Sequence, residues 1–276
     1  MTELLNKTLY KLDNNRFQAL KVQAKAFNVS FTGSNIIQDD IFYIMENYAA
    51  RNNAALKIFK LPIADEDFCA FTCVRKGIIF VVINSSLPLA KQIFAAAHEL
   101  YHIHCYLSED DMYLQEHGSL LTSGILDENA EQPEDREANA FASLLLVPSI
   151  TLAEQMEIHN IDRTHIDIAS IVKLMEIFAV PFKAMVLRLH EENDLNERAA
   201  IKFLAYPTSE VSNQMNQLNL ALRWNTPPSN QFDCAGLSAI IKHNIQEGFL
   251  PESRTQEDLA RIQELSAILA NDKRGV

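Results

Sequence analysis

Apolar positions recur at helical spacing along most of the chain and at strand spacing in one stretch. Between residues 39 and 53, Ile41, Ile44, Met45, Tyr48 and Ala49 fall at i, i+3, i+4, i+7 and i+8, which predicts an amphipathic helix. A β section follows. Residues 56–63 predict a short strand. Phe68–Arg75 and Ile78–Asn84 predict a hairpin, because Lys76-Gly77 between two β-rich runs offers the positive φ of a tight turn. The next stretch, "SSLPLAKQIFAAAHELYHIHC", predicts a helix. Ser86 can cap it, Pro88 suits its first turn, and Ile93, Ala97, Leu100 and Ile103 form its core stripe. Residues 134–147 predict a second helix with Ala138, Phe141, Ala142 and Leu145 on one stripe and Pro148 closing it. Residues 166–192 read as two helices joined at Ala179-Val180-Pro181. The tail from Leu195 reads as further helices, interrupted at Pro227-Pro228. The expected fold class is α+β, mainly helical, with a short β-sheet.

Composition narrows the function classes. The 276 residues suffice for one large core or a core with a satellite domain. No run approaches the roughly 18 uninterrupted apolar residues of a membrane span, and the first residues carry no signal-peptide pattern, so a cytoplasmic protein is expected. The four cysteines, Cys69, Cys73, Cys105 and Cys234, are too few and scattered for a disulfide framework. Cys69 and Cys73, four apart on a predicted strand, are expected as buried packing thiols on one face. The net charge of -12 argues against a DNA-binding or anionic-membrane surface, and no local basic patch offsets it. Acidic residues concentrate between Glu109 and Glu137, ten of them against the single Arg136. This stretch is expected to be a solvated loop.

The chemistry lies in "HELYH". His98 and His102, four apart, place their imidazoles side by side on the face away from the core stripe, at a spacing that lets both bind one Zn²⁺. In metallohydrolases of this pattern the glutamate after the first histidine, here Glu99, is the general base. A third ligand must come from another helix. Residues 134–147 begin with a cluster of carboxylates, of which Glu137 lies at the edge of the apolar stripe and Glu134 is the alternative. His104, on another face, is expected to be structural. Cys105 lies on the metal side, but a third ligand from the same helix strains the geometry.

These motifs, in this order, resemble the ImmA/IrrE family of metallo-endopeptidases. The hairpin precedes "NSSLPLAKQIFAAAHELYHIHC", and "EDREANAFASLLLVP" follows; the likeness runs from about residue 39 to 148 and more weakly through 166–192. The resemblance implies a gluzincin-like zinc domain over residues 1–160, a helix-turn-helix-like region over 161–194 and a helical region over 195–276. It implies His98, His102 and Glu137 as ligands of Zn²⁺ and Glu99 as catalytic base. It also implies a substrate that is a helix-turn-helix repressor of the Xre class, cut in a stress or mobile-element response. The gap from His102 to Glu137 is longer than the family's and holds the acidic loop. The helix-turn-helix-like region is not basic: Lys173, Lys183 and Arg188 face Asp162, Asp167, Glu176, Glu191 and Glu192. It therefore reads as a packing or partner-docking element, not a reader of DNA.

The expected activity is zinc-dependent peptide hydrolysis. An extended substrate is expected to add to a sheet edge at the strand Ile78–Asn84. The competing reading is a non-catalytic regulatory or antitoxin-type binding protein with a structural metal.

Overall fold

The computed structural model describes residues 2–65, 67–108, 113–122, 132–220, 232–234, 236–249 and 252–271. The chain opens with helices α1 (Thr2–Asn6), α2 (Leu9–Leu12), α3 (Asn14–Phe31) and α4 (Ile41–Arg51). Strands β1 (Ala55–Leu61), β2 (Phe68–Arg75) and β3 (Ile78–Asn84) follow, then helix α5 (Leu89–Ser108), short helix α6 (Tyr113–Glu116) and strand β4 (Ser119–Thr122). Next come α7 (Pro133–Leu146), α8 (Ser149–Ile158), α9 (Ile168–Phe178), α10 (Phe182–Glu191), α11 (Glu197–Leu204) and α12 (Thr208–Gln217). The two-residue strand β5 (Asp233–Cys234) and helices α13 (Leu237–Gln246) and α14 (Glu252–Asn271) complete the order. The fold is α+β and mainly helical. No single described helix is long and apolar enough to cross a membrane. The acidic residues within 109–112 and 123–131, and the expected break at Pro227-Pro228, lie outside the described residues.

The sheet is mixed, in the order β4-β2-β3-β1-β5. β1 runs parallel to β3, from Ala55 opposite Ile78 to Leu61 opposite Asn84, while β2 and β3 form the antiparallel hairpin. Its turn uses positive φ at both Lys76 (51°) and Gly77 (74°), the combination that matches the right-handed strand twist. β3 lies between β2 and β1, with both edges paired, so it is not the exposed strand the sequence suggested. Among the described residues that role belongs to β4, whose other neighbour is β2. The pairing of β2 with β4 carries a bulge between Phe68 and Ala70, which breaks the period-two alternation across Cys69. Cys69 is therefore buried while Cys73 is only half-buried, and the two do not share one face as expected.

Asn84, at the end of β3, is fully buried and uses all four hydrogen-bonding positions of its side-chain amide. Nδ2 donates to the carbonyls of Asp65 and Phe68, both at 2.9 Å, and Oδ1 accepts from the backbone amides of Ile63 at 3.1 Å and Ser86 at 2.9 Å. One side chain thus fixes the end of β1, the start of β2 and the approach to α5. α5 begins at Leu89, just after Pro88, and the stripe Ile93, Ala97, Leu100, Ile103 is buried as predicted. Its opposite face is buried too, because α7 covers it. The histidines point into the molecule and not toward water.

One contiguous apolar cluster runs from Leu5 to Met215 and includes Phe17, Phe141, Phe178 and Leu189. α9 is capped by the Asp167 carboxylate, which accepts from the Ser170 amide at 2.8 Å, and ends at Ala179 in the left-handed region (φ 52°). Within α10, Arg188 is fully buried. It donates to the Val147 carbonyl (3.1 Å), to Ser149 (3.0 Å), to Glu191 (3.2 Å) and to Glu192 (2.7 Å). One guanidinium thus faces two carboxylates, and the two differ. Burial pushes Glu191 up to about 7, with Arg188 pulling the other way. Burial also opposes the charge of Glu192, but Arg188 and Lys21 together hold it down at about 2. The less buried carboxylate carries the charge and the enclosed one takes the proton.

The consequence for stability has a definite sign. Glu191 titrates near 7 when folded and near its ordinary value of 4.5 when unfolded, so stability falls as pH rises from about 4.5 to 7. Replacing Glu191 with Gln removes this loss. The variant should be more stable than wild type at pH 8 by on the order of 2 kcal/mol, and the difference should vanish near pH 4.5. Denaturant unfolding at the two pH values measures it, and an equal difference at both would contradict the assignment.

Candidate metal centre

Two helices build the site, and local chemistry explains how each presents its donors. On α5, His98 and His102 are one turn apart. On α7, Pro133 occupies the first turn, where a missing amide hydrogen leaves no bond unmade, and Glu134 and Asp135 lie at the positive end of the helix dipole. The two helices pack along their lengths. Ala138 and Ala142 on α7 are fully buried, and side chains from both helices meet between them: His98 with Asn139, and Tyr101 with Glu137 and Phe141.

The packing brings together His98, His102 and Asp135, whose ligand atoms all lie within 4.8 Å of one another. Nε2 of His98 is 3.2 Å from Nε2 of His102, and Oδ1 of Asp135 is 3.7 Å from each. For a tetrahedral ion bound at about 2.0 to 2.1 Å, neighbouring ligand atoms are separated by about 3.3 Å, so the triangle has the dimensions such an ion needs. Two imidazole lone pairs facing each other at this distance repel unless a cation or a shared proton lies between them. Burial, followed by the neighbouring His98, pushes His102 far below the usual histidine range, so a charged imidazolium at His102 does not supply that cation. The opposite nitrogen of His98, Nδ1, is 2.9 Å from Oδ1 of Asn139, which accepts its proton and leaves Nε2 free to bind. Asn139 is four residues after Asp135, so one face of α7 supplies both a donor and the group that orients a donor on α5. The donor set, two imidazoles and one carboxylate, is that of catalytic divalent-metal sites.

Glu99 is fully buried beside this triangle. Its Oε1 is 3.5 Å from the Ser119 hydroxyl and its Oε2 has no hydrogen-bond partner. Burial raises it to about 7, with His98 and the hydroxyls of Thr72 and Ser119 pulling the other way. Ser119 comes from β4, and the residue before it explains how the strand reaches the site. Gly118 has φ 77°, and a Cβ there would lie 3.0 Å from the Thr72 carbonyl and 3.1 Å from the Phe71 ring, so only glycine lets β4 lie this close to β2.

Glu137, expected as the third ligand, is elsewhere. It faces α3, where Arg16 holds both of its oxygens, Nε to Oε1 at 2.8 Å and Nη2 to Oε2 at 2.7 Å, and Tyr101 donates to Oε2. Burial opposes its charge, but these partners together hold it below the ordinary carboxylate range. The carboxylate that reaches the histidines is Asp135, two positions earlier on the helix and so on nearly the opposite side. Neither Glu134 nor Cys105 belongs to the group. His104 lies 2.6 Å from the Tyr48 hydroxyl and stacks on Phe141. Asp135, Asn139, Ser119 and Arg16 were not singled out in the sequence. The carboxylate and amide four apart in "DREAN" are the signal that points to the first two.

A model of the IrrE N-terminal-like domain, a peptidase family, matches residues 51–190, just over half of the chain. The matched segment spans the whole sheet hairpin, α5, α7 and α10, and so contains every residue of the triangle. No curated protein matches the chain.

Metal binding separates the candidate ligands. Asp135→Ala should weaken Zn²⁺ binding by at least 100-fold and Asn139→Ala by about 10-fold to 100-fold, whereas Glu134→Ala should leave it within about twofold. Competition against a chromophoric chelator measures all three. Normal affinity in Asp135→Ala would remove Asp135 from the ligand set.

Proposed function

Since the chain belongs to the IrrE N-terminal-like family of peptidases, we propose that it is a zinc-dependent endopeptidase with His98, His102 and Asp135 as ligands and Glu99 as general base. The observation that carries this reading is the juxtaposition of a metal-sized donor triangle with a buried carboxylate that has an oxygen to spare. When bound, zinc supplies Lewis acidity, which lowers the pKa of water and polarises a carbonyl. Glu99 accepts the proton of the attacking water at Oε2 and returns it to the leaving amine. The three ligands supply one negative charge between them, and Asn139 keeps His98 in the binding tautomer.

The edge strand β4 supports an extended substrate. It borders the site through Ser119, and among the described residues it is an edge of the sheet, beside which a peptide's backbone could add. The substrate we propose is a helix-turn-helix repressor of the Xre class, whose cleavage switches on a stress or mobile-element response. The arrangement of α9 and α10 favours protein contact over DNA, since Arg188, one of the few cations there, is enclosed by Glu191 and Glu192. The second reading, a binding protein with a structural metal, is favoured by the complete burial of Glu99.

Glu99→Gln distinguishes the two. The variant should bind zinc within about threefold of wild type while losing peptidase activity by 100-fold to 10,000-fold, the usual range for a general base. Electrophoresis of candidate repressors after incubation, with and without chelator, provides the assay. Equal cleavage by the variant would rule out Glu99 as the base, and zinc-loaded wild type that binds a repressor intact would favour the structural reading.

A further inference from the structure

The matched family segment begins at residue 51, yet one of the strongest polar contacts near the metal centre comes from before it. α3 is docked by the buried residues Phe17, Leu20, Ala24 and Phe27, and its N-terminus is capped by Asp13, whose carboxylate accepts from the Arg16 amide at 3.0 Å. Further along, Lys21 pairs with Glu192 at 2.8 Å, and on α2 Lys11 pairs with Glu197 at 3.0 Å. α3 is thus held against α7 and the end of α10, and α2 against α11. From this fixed support Arg16 extends a planar guanidinium that takes both oxygens of Glu137 on α7, and its Nη2 also donates to the Tyr101 hydroxyl on α5 at 3.1 Å.

Both helices held by this fork are the helices that carry the metal donors. Tyr101 is one residue before His102, and Glu137 is two residues after Asp135. At about 100° per residue, Glu137 and Asp135 lie on nearly opposite sides of α7. While Asp135 points to the histidines, Glu137 is pulled the other way, and a bidentate pair resists rotation as a single contact would not. Rolling α7 about its axis would move Asp135 away from the histidines, and the fork opposes that roll.

We propose that Arg16 is a positioning residue for the metal centre, acting through Glu137 and Tyr101 to fix the rotation of α7 and hence the distance from Asp135 to His98 and His102. The N-terminal helix, although outside the family segment, then belongs to the working unit of the site. The proposal rests on the metal-site reading above.

The test is a double-mutant cycle on Zn²⁺ affinity, with circular dichroism of the metal-free proteins to confirm that each is folded at the assay temperature. Arg16→Met should weaken Zn²⁺ binding by about 10-fold to 100-fold in the wild-type background, as loss of a residue supporting a ligand typically does. In the Asp135→Ala background the same change should cost less than about twofold, because the donor whose position Arg16 fixes is gone. Exchanging the pair, Arg16→Glu with Glu137→Arg, should recover most of the loss. Should Arg16→Met not fold, Arg16→Lys with Tyr101→Phe keeps the packing and loses the fork, and the same cycle applies. Unchanged affinity in the first background, or an equal loss in both, overturns the proposal. Wild-type protein that binds no Zn²⁺ overturns the reading of the site itself, and this proposal with it.

Discussion

The close packing of α5 on α7 is the constraint on which the molecule depends. Each helix alone carries part of a metal centre: two imidazoles on one, a carboxylate and an orienting amide on the other. Ala138 and Ala142 on α7 are fully buried, so replacing either with a larger residue would overpack the interior around that helix. The sheet holds one side of α5 and α3 lies against α7, so the pair sits inside a scaffold and not on its surface. The juxtaposition of the donors depends on a distance between two helices, which the surrounding elements hold.

Electrostatics inside the molecule follow two different patterns. Arg188 is enclosed by Glu191 and Glu192, and Arg16 is paired with Glu137, so each inward-facing cation is matched locally. At the metal centre the balance is left open. Among the described residues, Asp135 and Glu99 have no lysine or arginine partner, while His102 is held neutral. Carboxylates beside two imidazoles, with no cationic side chain on them among the described residues, favour a divalent ion there.

Much of the fold was legible because it is written in periodicity. The hairpin Phe68–Arg75 and Ile78–Asn84 falls where alternation and Lys76-Gly77 placed it, and the helices at Ile41–Arg51, Leu89–Ser108 and Pro133–Leu146 follow their apolar stripes. The position of His98, Glu99 and His102 on the face opposite the core stripe was legible as well. That this face is buried was not, since a single helix does not show what packs on its other side. That Asp135, and neither Glu137 nor Glu134, lies beside the histidines was not legible for a related reason. An apolar stripe gives the side of a helix that meets the core, but α7 has two buried neighbours, and the partner that claims Glu137 lies 121 residues earlier in the chain. The order of the strands was equally out of reach, because β4 sits in a stretch whose acidity read as loop and its pairing with β2 depends on Gly118. Local signals specify elements, and long-range neighbours decide what each exposed edge or carboxylate does.

The separation between Arg16 and Glu137 also sets an order of events in time. During synthesis the N-terminal helix leaves the ribosome long before α5 and α7, and its guanidinium has no carboxylate to grip until both have followed. Closing so long a loop is an entropic cost met only once the core between them has formed. The nascent chain therefore carries its two histidines for some time before Asp135 emerges and the fork can close. The donor group of His98, His102 and Asp135 is therefore whole only after α7 has been made, and the fork from Arg16 closes on that helix across 121 residues of chain.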